Sequence, residues 1–323
     1  MGRSITGMRQ NQKIIVIGGT NASGKSDLAV LVARFINTNK KRFGVEGAEI
    51  ISADSRQVYK GMDIGSGKIT KKEMRGVPHH LLDVADPKRT FSVTRYRTLA
   101  LREIKRIWRE NRLPILCGGT GFYIDAVIHG TGIPEVKPNA KLRKKLEKKS
   151  IEELFRMLRK KDPMRARTID GKNPVRLIRA IEIAEALGKV PKPSHTPLSA
   201  DILFLGVKKE KEELKKRILI RLKKRMRQGM LREIARLHTR GVSWERMETL
   251  GLEYRYGARL LQKKITQSEF EETLVKEIMA YAKRQITWFK KEPGIVWITS
   301  KRETVERVEK FMKVQNSKVK MQK

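Results

Sequence analysis

Residues 13–26 read Lys13-Ile14-Ile15-Val16-Ile17-Gly18-Gly19-Thr20-Asn21-Ala22-Ser23-Gly24-Lys25-Ser26, and this stretch decides the fold. Its first six residues are a short apolar run closed by Gly18, the pattern of a buried strand. Gly19 to Ser26 then fits G-x-x-x-x-G-K-[ST], and Asp27 to Phe35 follows with apolar residues at helical spacing. In such a loop the backbone N–H groups point inward and the helix N-terminus adds positive potential, so phosphate is the natural ligand. Lys25 would bridge phosphate oxygens, while the Ser26 hydroxyl would reach a phosphate or Mg²⁺. An accidental match in a Gly-rich turn is the plain alternative, and the strand and helix on either side weigh against it. The loop does not say which phosphate compound binds.

Outward from this stretch, Glu49 to Ser52 reads as a second strand leading to Asp54, and Ser92 to Asn111 as an amphipathic helix. Leu113 to Cys117 reads as a third strand ending in Gly118-Gly119, with later strands at Asp201 to Val207 and Ile295 to Ile298. Strand, helix and strand in this rhythm imply right-handed crossovers and a parallel sheet. The predicted class is α/β, a P-loop NTPase-like parallel sheet core flanked by helices. From 134 to 197 only helical segments appear, at 139–149, 151–160 and 174–187, closed by Pro191-Lys192-Pro193-Ser194-His195-Thr196-Pro197. The expected organisation is a core over 13–133 and 198–300, an all-helical insertion domain over 134–197, and a C-terminal helix with a basic tail over 301–323. The tail is expected to fray from 316 onward.

The 323 residues carry 73 Lys plus Arg against 35 Asp plus Glu, a formal net charge of +38. A compact fold with that excess repels itself unless a polyanion offsets it. Nucleic acid is the expected partner, with an anionic membrane surface as runner-up. A generally basic proteome accounts for only part of the charge. Residues 208–227 hold eleven Lys or Arg and three Glu, and read as an RNA-facing stripe rather than a merely solvated helix face. Cys117 is the single cysteine, which excludes intrachain disulfides and multi-cysteine zinc modules; in its apolar run it reads as a buried strand residue. No apolar stretch approaches the roughly 20 residues that cross a bilayer. Residues 1–12 lack the apolar centre of a signal peptide. The expectation is a cytoplasmic monomer with no membrane partner.

Asp54 lies within Ile51-Ser52-Ala53-Asp54-Ser55-Arg56-Gln57-Val58-Tyr59, at the strand edge where α/β ligands bind. Three roles stay open to it: a Mg²⁺ ligand, a general base, or a helix N-cap. No strand ends in the Asp-Glu pair common in ATPases, which tells against an energy-coupled motor. His79-His80 are adjacent and point apart, so they read as a turn rather than a metal pair. Trp288-Phe289 read as core.

Seven blocks in order resemble the tRNA dimethylallyltransferase family. They are Gly24-Lys25-Ser26, Asp54-Ser55-Arg56-Gln57, Met62-Asp63-Ile64-Gly65-Ser66-Gly67-Lys68, Val77-Pro78-His79-His80-Leu81-Leu82-Asp83 and Gly118-Gly119-Thr120-Gly121-Phe122-Tyr123. Asn173-Pro174-Val175-Arg176 with Arg179-Ala180-Ile181-Glu182, then Ala282-Lys283-Arg284-Gln285-Ile286-Thr287-Trp288-Phe289, complete the series. The similarity runs from about 13 to 299. The chain departs from the family's Gly-Pro-Thr-Ala-Ser-Gly-Lys-Thr loop at Thr20-Asn21 and Ser26. At Leu250-Gly251-Leu252-Glu253-Tyr254-Arg255 it carries one residue more than the common Gly-Tyr-[Arg/Lys] form. The zinc-finger tail of eukaryotic relatives is absent, which fits a bacterial-type enzyme.

The resemblance implies a prenyl transfer. The exocyclic amine of the adenosine just 3′ of the tRNA anticodon attacks the first carbon of dimethylallyl diphosphate, and diphosphate leaves. Asp54 matches the family's base, with Lys25 and Ser26 also catalytic. The diphosphate would lie against Gly19, Thr20, Asn21, Ala22, Ser23, Gly24, Lys25 and Ser26, with Mg²⁺ held through Ser26. Arg217 or Arg221, four residues apart on one helix face, would complete the clamp. Family tRNA contacts map onto Asp54, Ser55, Arg56, Gln57, Thr120, Arg143, Val175, Arg176, Leu177, Ile178 and Arg179. Others fall on Gly251, Tyr254, Arg255, Lys283, Arg284 and Gln285. The target base must leave its stack, and the helical insertion would grip the anticodon stem-loop.

Two other enzymes share the loop: a prenyltransferase acting on free adenine nucleotides, and a small-molecule kinase. The charge and the insertion favour a tRNA-sized acceptor over the first. No lid-like arginine constellation supports the second. A non-enzymatic RNA-binding protein leaves the phosphate loop and its neighbouring aspartate unexplained.

Overall fold

The computed structural model describes residues 12–132, 134, 136–191 and 195–320, with side chains described as far as 313. Residues 1–11, 192–194 of the Pro-rich stretch and 321–323 of the expected tail lie outside the described residues. The chain opens with β1 (Lys13–Gly19), α1 (Lys25–Thr38), α2 (Lys40–Phe43), β2 (Ala48–Ser52), α3 (Lys71–Met74) and β3 (His79–His80). Next come α4 (Val93–Arg109), β4 (Leu113–Gly118), α5 (Gly121–Ile128), α6 (Ala140–Leu146), α7 (Ile151–Lys161), α8 (Pro163–Thr168) and α9 (Pro174–Leu187). It then runs through β5 (Asp201–Val207), α10 (Lys211–Arg227), α11 (Met230–Thr239), α12 (Trp244–Met247), α13 (Leu252–Leu261), α14 (Gln267–Phe289), β6 (Val296–Ile298) and α15 (Lys301–Lys320).

Among the described residues the strands form one six-stranded parallel sheet in the order β3-β2-β4-β1-β5-β6. All of β1 is buried, as expected for a central strand covered on both faces. Its side chains alternate between the two layers with the strand period of two. Ile14 and Val16 join Ile51, Leu116, Phe204 and Phe289 on one face. Ile15 and Ile17 join Ile50, Ile115, Leu205 and the apolar stripe of α1 on the other. Helical crossovers between parallel strands bring the C-terminal ends of β1, β2 and β4 to the same edge.

One local reading changes. His79-His80 form the edge strand β3, in register with Ile50 and Ile51, rather than a turn. Their rings do diverge: His79 Nδ1 lies 2.8 Å from the Val77 carbonyl and His80 Nε2 2.7 Å from Glu49. The expected C-terminal helix is α15, and it packs on the core. Val308 and Met312 are buried beside α1, and Lys13 Nζ donates to the Phe311 carbonyl at 2.6 Å. Phe289 is fully buried, in keeping with the core reading.

Among the described residues, His129–Pro197 form one compact unit, and the residues before and after it form the other. The smaller unit starts at His129 rather than at 134. Its core is Leu146, Leu154, Leu158, Leu177 and Ile181, contributed by α6, α7 and α9. Glu182 of α9 is buried within it and accepts hydrogen bonds from Asn139 N, from Arg143 Nε at 2.9 Å, and from Arg179.

Candidate active site

The larger unit holds a cavity of about 750 Å³ at the C-terminal edge of its sheet. That volume suits a small ligand together with part of a second. One wall is the loop between β1 and α1. Ala22 (φ 62°) and Gly24 (φ 94°) both take left-handed backbone there, which curls the loop before the helix starts. Asn21, Ala22, Gly24, Lys25, Ser26 and Asp27 line the cavity. Lys25 Nζ donates to the Thr20 carbonyl at 3.1 Å. Burial lowers the Lys25 pKa from the usual lysine value, while the Asp54 carboxylate pulls it upward.

Asp54 follows β2 and faces the same cavity. Its Oδ1 accepts from Arg56 N at 2.8 Å and Gln57 N at 3.3 Å. The turn thus uses one carboxylate oxygen and fixes the direction of the group, so capping and chemistry are compatible roles. Ser55 N donates to Thr120 Oγ1 at 3.0 Å, tying this turn to the end of β4. Gly118 allows that approach: a Cβ there would lie 2.1 Å from the Ala53 carbonyl oxygen.

Another wall comes from α10, where Arg221, Lys224 and Arg225 follow helical spacing along one stripe, and from Gln228 just after it. Arg221 lines the cavity. Desolvation and the neighbouring Arg225 lower its pKa from the ordinary guanidinium value. Arg217 does not line it and instead pairs with Glu213 at 2.9 Å. Of the two arginines, Arg221 is the one in the cavity lining. Tyr281 and Arg284 of α14 complete the enclosure, the guanidinium lying 5.7 Å from the tyrosine ring centroid.

Several residues singled out in the sequence have other surroundings. Gly19, Thr20 and Ser23 sit behind the lining, and the Thr20 and Ser23 hydroxyls are buried without a hydrogen-bond partner. Gln285 is buried: its Oε1 accepts from Asn21 N at 3.0 Å and its Nε2 donates to the Gly119 carbonyl at 2.8 Å. It staples the phosphate loop to β4 rather than offering its amide at the surface. Tyr254 is 1 % exposed, and Leu177 and Ile178 are core residues of the smaller unit. Arg143 and Arg179 are engaged by Glu182. Ser55, Arg56, Gln57, Gly251, Tyr254 and Arg255 do line the cavity, Arg56 donating to the Thr249 carbonyl and Arg255 to the Glu248 carbonyl. Val175, Arg176 and Lys283 remain exposed.

Lys224, Arg225 and Tyr281 escaped the sequence reading, although the spacing from Arg221 marks the first two. Glu233 escaped it as well. The available signal was a charged residue on the apolar stripe Met230, Ile234 and Leu237 of α11.

Residues 57–292 match the family model described as IPP transferase. The chain is 41 % identical over 280 residues to "tRNA dimethylallyltransferase 2" of Citrifermentans bemidjiense, covering 86 % of each chain. It is 39 % identical to "tRNA dimethylallyltransferase 1" of Syntrophus aciditrophicus, over 89 % of this chain and 93 % of that one. A crystal structure of the full-length tRNA isopentenylpyrophosphate transferase from Bacillus halodurans aligns with a TM-score of 0.68 at 32 % identity, covering 96 % of this chain and 99 % of the other. A phosphate loop after β1 and an oriented aspartate after β2, matched along most of the chain by these relatives, lead to one conclusion: the chain belongs to the IPP transferase family.

Proposed function

We propose that this chain is a prenyltransferase that moves the dimethylallyl group of dimethylallyl diphosphate onto the exocyclic amine of the tRNA adenosine just 3′ of the anticodon. The observation that carries this reading is that Lys25 and Asp54 face one cavity from the ends of β1 and β2, the two strands that flank β4. The loop amides, Lys25 and Arg221 would receive the diphosphate. There they would meet the negative charge that grows as the carbon–oxygen bond breaks. The amine nitrogen forms its bond to the first allyl carbon and loses a proton, and Asp54 accepts that proton. The lone pair that Asp54 would use belongs to an oriented carboxylate, which lowers the reorganisation needed in the step.

Ser26 and Asp27 offer hard oxygen donors beside the phosphate loop, a set that fits Mg²⁺. Bound there, Mg²⁺ would add positive charge opposite the leaving group. Val175 and Arg176 give the smaller unit an exposed edge, and on this reading that unit grips the anticodon stem-loop. The enzyme would act as a cytoplasmic monomer. Among the described residues no helix is long and apolar enough to cross a membrane.

The test is mass spectrometry of nucleosides from unmodified tRNA incubated with the protein, dimethylallyl diphosphate and Mg²⁺. One added dimethylallyl group on the adenosine beside the anticodon is expected, with no prenylation of free AMP and no ATP hydrolysis. RNA-stimulated ATP hydrolysis with unchanged tRNA mass would overturn the reading.

A further inference from the structure

The segment 62–68 forms the part of the cavity wall between the Asp54 turn and α10, and its conformation is set from outside the cavity. Glu233 is 1 % exposed. Its Oε2 accepts from Asp63 N at 2.9 Å and Ile64 N at 2.7 Å, and its Oε1 from Gly65 N at 3.0 Å. Tyr254 donates its hydroxyl to Oε1 at 2.8 Å, and the Tyr254 hydroxyl oxygen accepts from Ser66 N at 3.1 Å. Four successive backbone N–H groups are thus gathered by one carboxylate and one phenol. Carbonyls are held in turn. Arg225 donates to Gly65 O at 3.1 Å, and Gln57 to Gly67 O at 3.3 Å. A Cβ at Gly65 would fall 2.7 Å from the Tyr254 ring, so the segment has no room to drift toward it.

This wall and the cationic loop share the cavity: the wall brings Ile64 to it, with Ile69, Leu252 and Tyr281 also in the lining, while its polar side chains are paired locally, Lys68 with Asp63 at 2.7 Å and Ser66 with the Met62 carbonyl. A diphosphate ester with a short hydrocarbon tail needs such a division. Cations and N–H groups must meet one end and apolar carbon the other, because burying a polar wall against the tail would leave its groups unsatisfied. We propose that Glu233, backed by Tyr254, is a positioning residue that holds segment 62–68 as the receiving wall for the allyl tail of the donor. This inference rests on the prenyl-transfer reading and adds to it the element that distinguishes the donor from its phosphate end.

Glutamine is the informative replacement at 233. It keeps the size but turns one acceptor into an NH₂ that faces backbone donors, leaving buried N–H groups unpaired. In Glu233→Gln the KM for dimethylallyl diphosphate should rise about tenfold, the scale of one or two lost buried hydrogen bonds. The Ki for inorganic diphosphate as competitor should stay within about twofold, because loop 19–26 and Arg221 are untouched. Tyr254→Phe should shift the same ratio in the same direction by less. The ratio of the two constants is insensitive to the folded fraction, and Tyr254→Phe carries the test if Glu233→Gln does not fold. Equal weakening of both ligands, or no change in either, would overturn the inference. If wild type binds neither ligand, the prenyl-transfer reading fails instead.

Discussion

Glu182 and Glu233 are exposed by 2 % and 1 % respectively, yet their carboxylates meet different partners. Glu233, in the larger unit, accepts from three backbone N–H groups and a phenol, all neutral donors. Glu182, in the insertion, accepts from two guanidiniums and one backbone N–H. The first arrangement shapes a segment of chain; the second joins α6 to α9 in a unit crowded with positive charge. Burial by itself would raise the Glu182 pKa, but Arg143, the Asn139 N–H and Arg179 together hold it down at about 2. A buried carboxylate in a basic protein can therefore serve backbone order or charge balance, and its donors tell which.

The contrast predicts that chemistry and folding separate between the units. The largest effect should follow Asp54→Asn, which keeps an oxygen for the Arg56 and Gln57 amides but removes the proton acceptor. Single-turnover rates should fall by about two to four orders of magnitude, with tRNA and donor binding retained. A near-normal rate would leave Asp54 a turn residue and place the chemistry elsewhere.

Glu182→Gln should next expose the difference between the two carboxylates. It leaves Arg143 and Arg179 partly unpaired in the insertion, and breaking such a buried pair costs about 3–5 kcal/mol. Chemical denaturation should show that loss, and an unchanged midpoint would reduce Glu182 to a surface-like pair. The same residue fixes a pH dependence. Its unfolded pKa is about 4.3, and its folded pKa is about 2. The contribution is fully present above the unfolded value and is lost as pH falls through the folded one. It amounts to roughly 3 kcal/mol. Wild type should lose stability between about pH 4.5 and 2 more steeply than Glu182→Gln, as urea titrations at each pH would read.

The smallest effect sharpens the comparison within the insertion alone. Arg176 has a side chain 65 % exposed and only a 3.7 Å approach to Asp170, whereas Arg179 is tied to Glu182. Arg176→Ala should lower the slope of log affinity for tRNA against log salt by about one, with stability unchanged. Arg179→Ala should instead lower stability. Equal behaviour of the two would mean that the Glu182 pair does not divide their roles.

Much of the catalytic framework was legible without coordinates because it is encoded locally. The apolar run of β1, the glycines and Lys25 of its loop, and the spacing of α1 lie within one continuous stretch, and local geometry obliges them to form strand, turn and helix. Asp54 was legible as a strand-end residue for the same reason, although its double role as turn acceptor and cavity group was not. Tertiary structure decided the partners. Glu233 meets Asp63 across 170 positions and Gln285 meets Asn21 across 264, separations over which no periodicity carries information. It buried Gln285, Leu177 and Ile178 and set Arg221, not Arg217, in the cavity lining. A one-turn step along α10 places equivalent guanidiniums on Glu213 or in the cavity. A side chain's type is written in the sequence, but what it touches depends on which elements the folded sheet and helices bring beside it.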